Sequence, residues 1–322
     1  MSLERKFISF ILFKEISTLC FRKMADNSSI VGGFAPRYPT YRLIIIQILV
    51  TIFLCINMLL IGTFFKTESF HTSARYLLFA LMLMSDSFLL FMSDIMVVCT
   101  SLGFTMQVFV CVIFSTTVLL YNMVTPITLV AMTLERYAAI CMPLRHAELC
   151  STRSTVHCIL IIHGISSVPC IIILSVFFAS ASLSIYKQNM VCTVNVFILY
   201  TWHNHLRSAV SQFFFLMMCI VICFSYYKIM KVANAASGES KKSTLRGLKT
   251  VILHAFQLLL CLIQLWCPFI EAATLEIDLN LFASVRYANY VIFFLASRCL
   301  SPLIYGLRDE TFFLALKKFY RS

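Results

Sequence analysis

Four charged side chains stand in unusual positions in this sequence. Glu135 and Arg136 are adjacent at the end of a long apolar run, and Asp86 and Arg298 each lie inside another such run. Charges in apolar surroundings are costly, so they are expected to pair with one another or to mark a functional site. Because the sequence shows no nucleophile–base set and no metal-ligand spacing, we expect neither an enzyme nor a metal or cofactor site.

Long apolar segments must position these charges. The sequence is 60% hydrophobic and 12% charged, against about 45–50% and about 25% in soluble proteins. A membrane-spanning helix needs about 20 apolar residues. Only helices and closed barrels can span lipid, and the segments lack the alternation of barrel strands, so we predict an all-α integral membrane protein with a bundle of seven transmembrane helices. The seven segments are Tyr41–Phe65, Tyr76–Cys99, Gln107–Leu134, Val156–Ser180, Ser208–Met230, Leu248–Ala273 and Val285–Leu307.

The distribution of lysine and arginine predicts the orientation of the bundle. Fifteen of these residues lie in the loops after the first, third and fifth segments and in the C-terminal tail, and five lie on the opposite side beyond residue 23. Basic residues concentrate on the cytoplasmic side, so we expect the N-terminus outside and the C-terminus in the cytoplasm. Asn27 begins a glycosylation triplet on the same outer side. The formal charge of +12 is therefore mainly a topology signal and predicts no nucleic-acid partner.

We divide the chain into three parts. Residues 1–40 are expected to form an extracellular N-terminal segment, residues 41–307 the seven-helix domain, and residues 308–322 a cytoplasmic amphipathic helix and tail that lies on membrane lipid. Residues 1–23 carry five basic residues and no small-residue cleavage site. Our hypothesis is that they are a non-native extension ahead of Met24.

Short motifs in the apolar segments carry a family resemblance. They resemble the acidic-Arg-Tyr, Trp-x-Pro and Asn-Pro-x-x-Tyr motifs of rhodopsin-like (class A) G-protein-coupled receptors, and the longer form around the first motif resembles odorant receptors. The compact second outer loop makes fish odorant receptors the most similar. The motifs are Glu135-Arg136-Tyr137 with Pro143-Leu144-Arg145-His146, Ser225-Tyr226-Tyr227, Trp266-Cys267-Pro268 and Ser301-Pro302-Leu303-Ile304-Tyr305.

The resemblance implies a switch at the cytoplasmic end of the helices. Glu135 would hold Arg136 at rest and release it to meet the G protein, and the two prolines would kink the helices that move. The residues expected to serve coupling and switching are Glu135, Arg136, Tyr137, Tyr226, Trp266, Pro268, Pro302 and Tyr305. The resemblance also implies a disulfide from Cys111 to the second outer loop, with Cys192 as its partner.

The sequence departs from the family pattern in its core. Asp86 resembles the aspartate that binds sodium, but Ser301 replaces the asparagine before the seventh-helix proline, and Arg298 lies one turn earlier. By family geometry Arg298 should face the same cavity as Asp86. We therefore predict an Asp86–Arg298 ion pair in place of sodium, with contact to Asp94 or to a ligand as alternatives.

Two absences narrow the ligand class by resemblance. Val118 stands where amine receptors carry an aspartate, and Leu295 stands where opsins carry the retinal-binding lysine. Neither an amine receptor nor a photopigment is expected. The residues that resemble pocket positions are mostly apolar and aromatic, which suits small organic ligands. These candidates are Val118, Asn122, Ser211, Phe214, Trp266, Phe269, Tyr287, Val291 and Phe294.

The resemblance thus predicts a multi-pass odorant receptor of the plasma membrane. It would bind a small-molecule odorant within the bundle and activate a heterotrimeric G protein of the stimulatory olfactory type. A rhodopsin-like receptor for a lipid or peptide mediator is the alternative. A transporter or channel is a third possibility, which the lack of internal repeats and of a polar pore lining disfavours.

Overall fold

The computed structural model describes residues 40–235, 238–306 and 310–321. Within them, a short antiparallel pair is formed by β1 (Thr105–Gln107) and β2 (Asn189–Val191), and a π-helical turn covers Tyr290–Leu295. The helices are α1 (Thr40–Lys66), α2 (Ala74–Leu102), α3 (Val108–Cys141), α4 (Pro143–Leu149), α5 (Thr152–Ser180), α6 (Leu183–Tyr186), α7 (Thr201–Ala235), α8 (Gly238–Ile277), α9 (Leu279–Asn289), α10 (Ala296–Gly306) and α11 (Glu310–Arg321), with 3-10 turns at Glu68–Phe70 and Val194–Phe197.

Six segments of the described chain are long and apolar enough to cross a membrane. They fall in α1, α2, α3, α5, α7 and the continuous stretch Leu279–Leu300, and a shorter apolar segment, Ala255–Glu271, lies in α8. Each of them overlaps one of the seven segments predicted from the sequence. The predicted all-α seven-helix class is thereby confirmed.

The outward faces of the helices carry large apolar side chains. On α1, Ile44, Ile48 and Ile52 recur every four residues and are 52%, 54% and 48% exposed. Residues at that spacing share one face of a helix. Soluble proteins rarely expose contiguous apolar patches of this kind, so this face suits contact with lipid chains.

The two larger apolar clusters of the described residues lie along α3. One surrounds Leu129 and Met132 toward the C-terminal end of α3, and it includes the fully buried Phe312 of α11. The other surrounds Val112 and Phe177 toward the N-terminal end of α3. The amphipathic tail helix predicted from the sequence is thus present as α11, and it docks through an aromatic side chain.

Several helices extend beyond the predicted apolar segments. The fifth segment was predicted to end at Met230, but α7 continues to Ala235, and the sixth was predicted to begin at Leu248, but α8 begins at Gly238. Apolar length marks only the part of a helix that lies in lipid, whereas lysine, alanine and glutamate continue a helix in water. At the other end, α9 begins earlier than predicted because the Asp278 carboxylate accepts a capping hydrogen bond from the Leu281 N–H at 3.0 Å.

Candidate functional site

A cavity of about 330 Å³ opens among the helices beside the loop that follows β2. Its walls come from α2, α3, α7, α8, α9 and the π-helical turn, and the loop residues from Cys192 to Asn195 close one side. A cavity of this size is at the small end of the range for ligand pockets, about 300–1,000 Å³. It can enclose a small organic molecule.

Five of the nine predicted pocket residues line this cavity, namely Val118, Asn122, Ser211, Phe269 and Phe294. Pro268, predicted as a kink residue, also lines it. They come from α3, α7, α8 and the π-helical turn, so the structure brings together residues separated by up to 176 positions in the sequence.

The other four candidates do not line the cavity. Trp266 is 42% exposed on the outer face of α8. Gln264 and Pro268 are four residues apart and share the inward face, so Trp266, midway between them, falls on the opposite side of the helix. The Tyr287 ring lies instead beneath the Arg42 guanidinium, 5.2 Å from its carbon.

Phe214 and Val291 pack into apolar clusters instead. Phe214 lies against the cluster around Leu129, and Val291 against the cluster around Val112. The expectation came from their resemblance to family pocket positions, whereas the rotation of each helix directs them into packing contacts. They are not among the residues that line the cavity, and their role in ligand binding stays a prediction.

Sequence reasoning missed the charged residues of the cavity. Arg207, Glu271 and Arg286 line it together with Asn289. The two arginines lie near the ends of apolar segments, where they had been counted only as a topology signal. The sequence offered one signal, since Arg207, Glu271 and Arg286 each lie near the end of a different apolar segment.

The floor of the cavity rests on a buried arginine. Arg298 is 1% exposed, and its Nη1 donates to Gln264 Oε1 at 2.9 Å while its Nη2 donates to Asn122 Oδ1 at 2.8 Å. Gln264 Nε2 also donates to Asn122 Oδ1 at 3.1 Å. Arg298 therefore joins α10 to α3 and α8 through two side chains that line the cavity. We call Arg298, Asn122 and Gln264 the amide clamp.

The remaining contacts of Arg298 hold its side chain within its own helix. Nη1 donates to the Phe294 carbonyl at 3.1 Å and to Ser297 Oγ at 2.7 Å, and the guanidinium carbon stands 4.3 Å from the centre of the Phe294 ring. A cation over an aromatic face is stabilised electrostatically. Since Phe294 also lines the cavity, the arginine is packed directly behind the ligand space.

The structure differs from the predicted Asp86–Arg298 ion pair. The described hydrogen bonds of Arg298 go to uncharged oxygens, and the fully buried Asp86 accepts from Thr125 Oγ1 at its Oδ1, at 2.7 Å. The physical reason is the direction of the arginine side chain. Side chains in a helix point toward its N-terminal end, and Arg298 reaches back to the carbonyl four residues earlier, beside the cavity. Asp94, the alternative partner, accepts from Gln47 Nε2 at 2.6 Å.

At the other end of α3, the residues of the predicted switch form a small charged group. Arg136 Nε lies 3.3 Å from Glu135 Oε2, and His146 Nε2 of α4 lies 3.5 Å from Glu135 Oε1. The Tyr137 ring is 6.2 Å from the ring of Phe224 on α7. Glu135 and Arg136 are therefore in contact, their role in a switch stays a prediction, and His146 adds a second contact that the sequence did not predict.

The other switch residues are placed as follows. Tyr226 is 38% exposed on α7, and Pro302 is buried within α10. The side chain of Tyr305 and the glycosylation triplet at Asn27 lie outside the described residues. The structure therefore brings Glu135 and Arg136 together but does not join Tyr226 to them.

The predicted disulfide is present. Cys111 of α3 and Cys192 after β2 are bonded at 2.06 Å, and both are fully buried. The Cys192 carbonyl also accepts from Thr100 Oγ1 at 3.1 Å. The bond fixes the loop against α3, so residues 192–195 form a wall of the cavity.

These features define the class of the protein. Residues 56–305 match the 7 transmembrane receptor (rhodopsin family), and the chain belongs to that family. Among individual proteins, it is 41% identical over 292 residues to Odorant receptor 131-2 of Danio rerio, covering 91% of this chain and 90% of that protein. It is also 27% identical over 209 residues to Galanin receptor 2a of Danio rerio, covering 60% of this chain and 53% of that protein.

Proposed function

We propose that the chain is an odorant receptor of the plasma membrane, which binds a small organic ligand in the cavity and activates a heterotrimeric G protein of the stimulatory olfactory type. Membership of the rhodopsin family and the 41% identity to Odorant receptor 131-2 support this proposal. The excess of basic residues on one side supports an outer N-terminus and a cytoplasmic C-terminus.

The single observation that carries the proposal is the amide clamp. Asn122 and Gln264 face the ligand space and at the same time hold Arg298, which ties three helices together. A ligand that contacts either amide changes the contacts that fix α8 relative to α3 and α10. Binding can shift a conformational equilibrium only through such differential contacts, and the clamp supplies them.

Glu135 and Arg136, at the C-terminal end of α3, are the residues through which the receptor acts on the G protein in this proposal. Movement of α8 relative to α3 frees the inner ends of the helices, and Arg136 leaves Glu135 to meet the G protein. Pro268 lies next to the ligand space within α8 and removes one backbone hydrogen bond, so this helix can pivot there. The ligand and the G protein thus act on opposite ends of the same helices.

The cavity volume favours a small molecule over the peptide alternative. About 330 Å³ holds a compact organic molecule, whereas a peptide mediator is larger than that volume. We therefore retain the odorant assignment although the more distant relative is named a galanin receptor.

A cyclic-nucleotide reporter assay tests the proposal. Cells expressing the full chain are exposed to a panel of water-soluble odorants, and we expect at least one to raise the reporter signal. Arg136→Ala should abolish the response, while Arg153→Ala, which removes an exposed arginine at the start of α5, should leave it unchanged. Staining of an N-terminal tag on intact cells measures surface expression and orientation. Ligand uptake that does not depend on a G protein would contradict the proposal in favour of a transporter.

A further inference from the structure

The cavity has an unbalanced charge. The charged side chains among its described lining residues are Arg207, Glu271 and Arg286. Arginine remains protonated in proteins, so with Glu271 ionised the lining carries one more positive than negative charge. A cleft of net positive charge with low-dielectric walls attracts an anion.

Arg286 is the charged neighbour of Glu271 among the lining residues. The Glu271 carboxylate accepts from Asn289 Nδ2 at 3.1 Å, and Arg286 is within electrostatic reach of it. Arg286 also stands with its guanidinium carbon 6.0 Å from the centre of the Phe282 ring. The negative charge of the cavity therefore already has a counter-charge and a hydrogen bond from the protein itself.

Arg207 has no such counter-charge. Its Nη1 donates to Asn195 Oδ1 at 3.4 Å and its Nη2 to Asn204 Oδ1 at 3.3 Å, and both partners are neutral. These distances are long for arginine, whose charge-assisted bonds to carboxylates are about 2.7–2.9 Å and often paired. Within the described part of the chain, no carboxylate lies within ion-pair distance of this guanidinium. A bound anion would form stronger bonds than the two amides.

The floor of the cavity also offers hydrogen-bond donors to a ligand. Arginine has only donors, so the oxygen of Asn122 must be the atom that faces Arg298. The same oxygen accepts from Gln264, which leaves the Asn122 amide N–H groups for other partners. Among the described contacts this nitrogen has none, and the side chain lines the cavity. Both the arginine wall and the amide floor thus present donors to a ligand.

We propose that the cavity selects a small organic anion, with a carboxylate or sulfonate bound by Arg207 and its apolar part lying against Phe269 and Phe294. The ligand class rests on the proposed function, but it does not depend on which G protein is coupled. Apolar residues such as Val118 and Leu119 line the cavity as well, so the ligand also carries a hydrocarbon or aromatic body. The geometry gives Arg207 the role of a specificity-determining residue.

The test uses matched pools of small molecules on the full chain. One pool contains organic carboxylates and sulfonates, the second their methyl esters and primary amides, and the third the corresponding amines. We expect the anion pool to activate the reporter and to stabilise the detergent-solubilised receptor against heat. Loss of a charge-assisted bond weakens binding by about 10- to 100-fold, and Arg207→Gln should raise the half-maximal concentration by that factor. Arg207→Lys should recover part of the affinity.

Arg42→Gln is the matched control. Arg42 is an arginine of α1 whose Nη2 donates to Ser284 Oγ at 3.2 Å, and it is absent from the lining of the cavity. Its substitution removes the same charge and should leave the response to anions unchanged. A common effect on both variants would point to loss of net charge or of folding, and would overturn the specific role of Arg207.

Stabilisation against heat tests the anion site, and the reporter signal tests the proposed receptor function, so the two can fail separately. Stabilisation by anions that depends on Arg207, without a reporter signal, would support the anion site and contradict coupling to a stimulatory G protein. Activation by the ester or amine pool, equally strong in Arg207→Gln, would support the receptor function and overturn the anion site. If the anion pool neither stabilises nor activates the protein, the anion site is overturned.

Discussion

Replacement of Arg298 by lysine tests whether this buried cation is held by the amide clamp or by a charge pair. Lysine keeps the positive charge but offers one nitrogen, whereas Arg298 uses two, one for Gln264 at 2.9 Å and one for Asn122 at 2.8 Å. Lysine cannot bond both amides with that geometry. An ion pair would tolerate this substitution, because a single ammonium can still meet a carboxylate.

The size of the effect follows from the number of bonds lost. Hydrogen bonds to charged groups contribute about 1.5–3 kcal/mol in soluble proteins, and interhelical bonds in membranes average about 0.6 and reach about 1.7 kcal/mol. A buried guanidinium belongs at the upper end of the membrane range, so we assign about 1.5 kcal/mol to each bond. Arg298→Lys loses one interhelical bond, or about 1.5 kcal/mol, and Arg298→Met loses both, or about 3 kcal/mol.

Thermal unfolding with a thiol-reactive dye measures this loss. Cys170, Cys261, Cys267 and Cys299 are buried free thiols, so they react with the dye as the bundle unfolds. We expect the unfolding midpoint of the solubilised protein to fall in Arg298→Lys and to fall further in Arg298→Met.

Double-mutant cycles identify the partner. Arg298→Lys combined with Asn122→Ala should be less than additive, because both remove the same bond, with a coupling of about 1 kcal/mol. Arg298→Lys combined with Asp86→Asn should be additive. An unchanged midpoint in Arg298→Lys, together with strong coupling to Asp86, would refute the clamp and restore the ion pair.

Two further predictions concern the inner end of the bundle. His146→Ala removes the second contact of Glu135, 3.5 Å away, so Arg136 should be released more often and ligand-free reporter activity should rise at equal surface expression; an unchanged basal signal would contradict a restraining role. Phe312→Ala removes a fully buried ring stacked 5.3 Å from Phe70, and Phe→Ala changes in cores cost about 3–5 kcal/mol. We expect reduced surface expression and a lower unfolding midpoint, and an unaltered midpoint would show that α11 is not docked in the folded receptor.

Apolar length was sufficient to predict the helices because a bilayer fixes the length of a spanning segment. It did not predict where α7 and α8 end, since their polar extensions lie beyond the apolar segments. The Cys111–Cys192 bond followed from the resemblance, because its loop position is part of the family pattern. The length of an apolar segment and the position of a cysteine can both be counted along the sequence, so the helices and the disulfide could be predicted from it.

The cavity was only partly predictable, because its lining depends on how each helix is rotated. Trp266 and Cys267 are neighbours in the sequence, yet one is exposed and the other lines the cavity. Arg298 was recognised as unusual, but a charge in a sequence carries no side-chain direction, so the choice between Asp86 and the two amides required the structure.

The amide clamp also explains how an anionic ligand would act on the helices. Asn122 Oδ1 accepts from both Arg298 and Gln264, so the amide already has its oxygen committed to the protein. A ligand anion that is held by Arg207 and also accepts from the Asn122 nitrogen polarises the same amide and so alters those bonds, since hydrogen bonds in a chain affect one another in low dielectric. The ligand and Arg298 carry opposite charges on either side of Asn122, so they also attract directly. Binding therefore changes the contacts that fix α8 relative to α3 and α10, and a ligand without the negative charge lacks this effect. It follows that loss of Arg298 should reduce the response to anions even though Arg207, the residue that binds them, is intact.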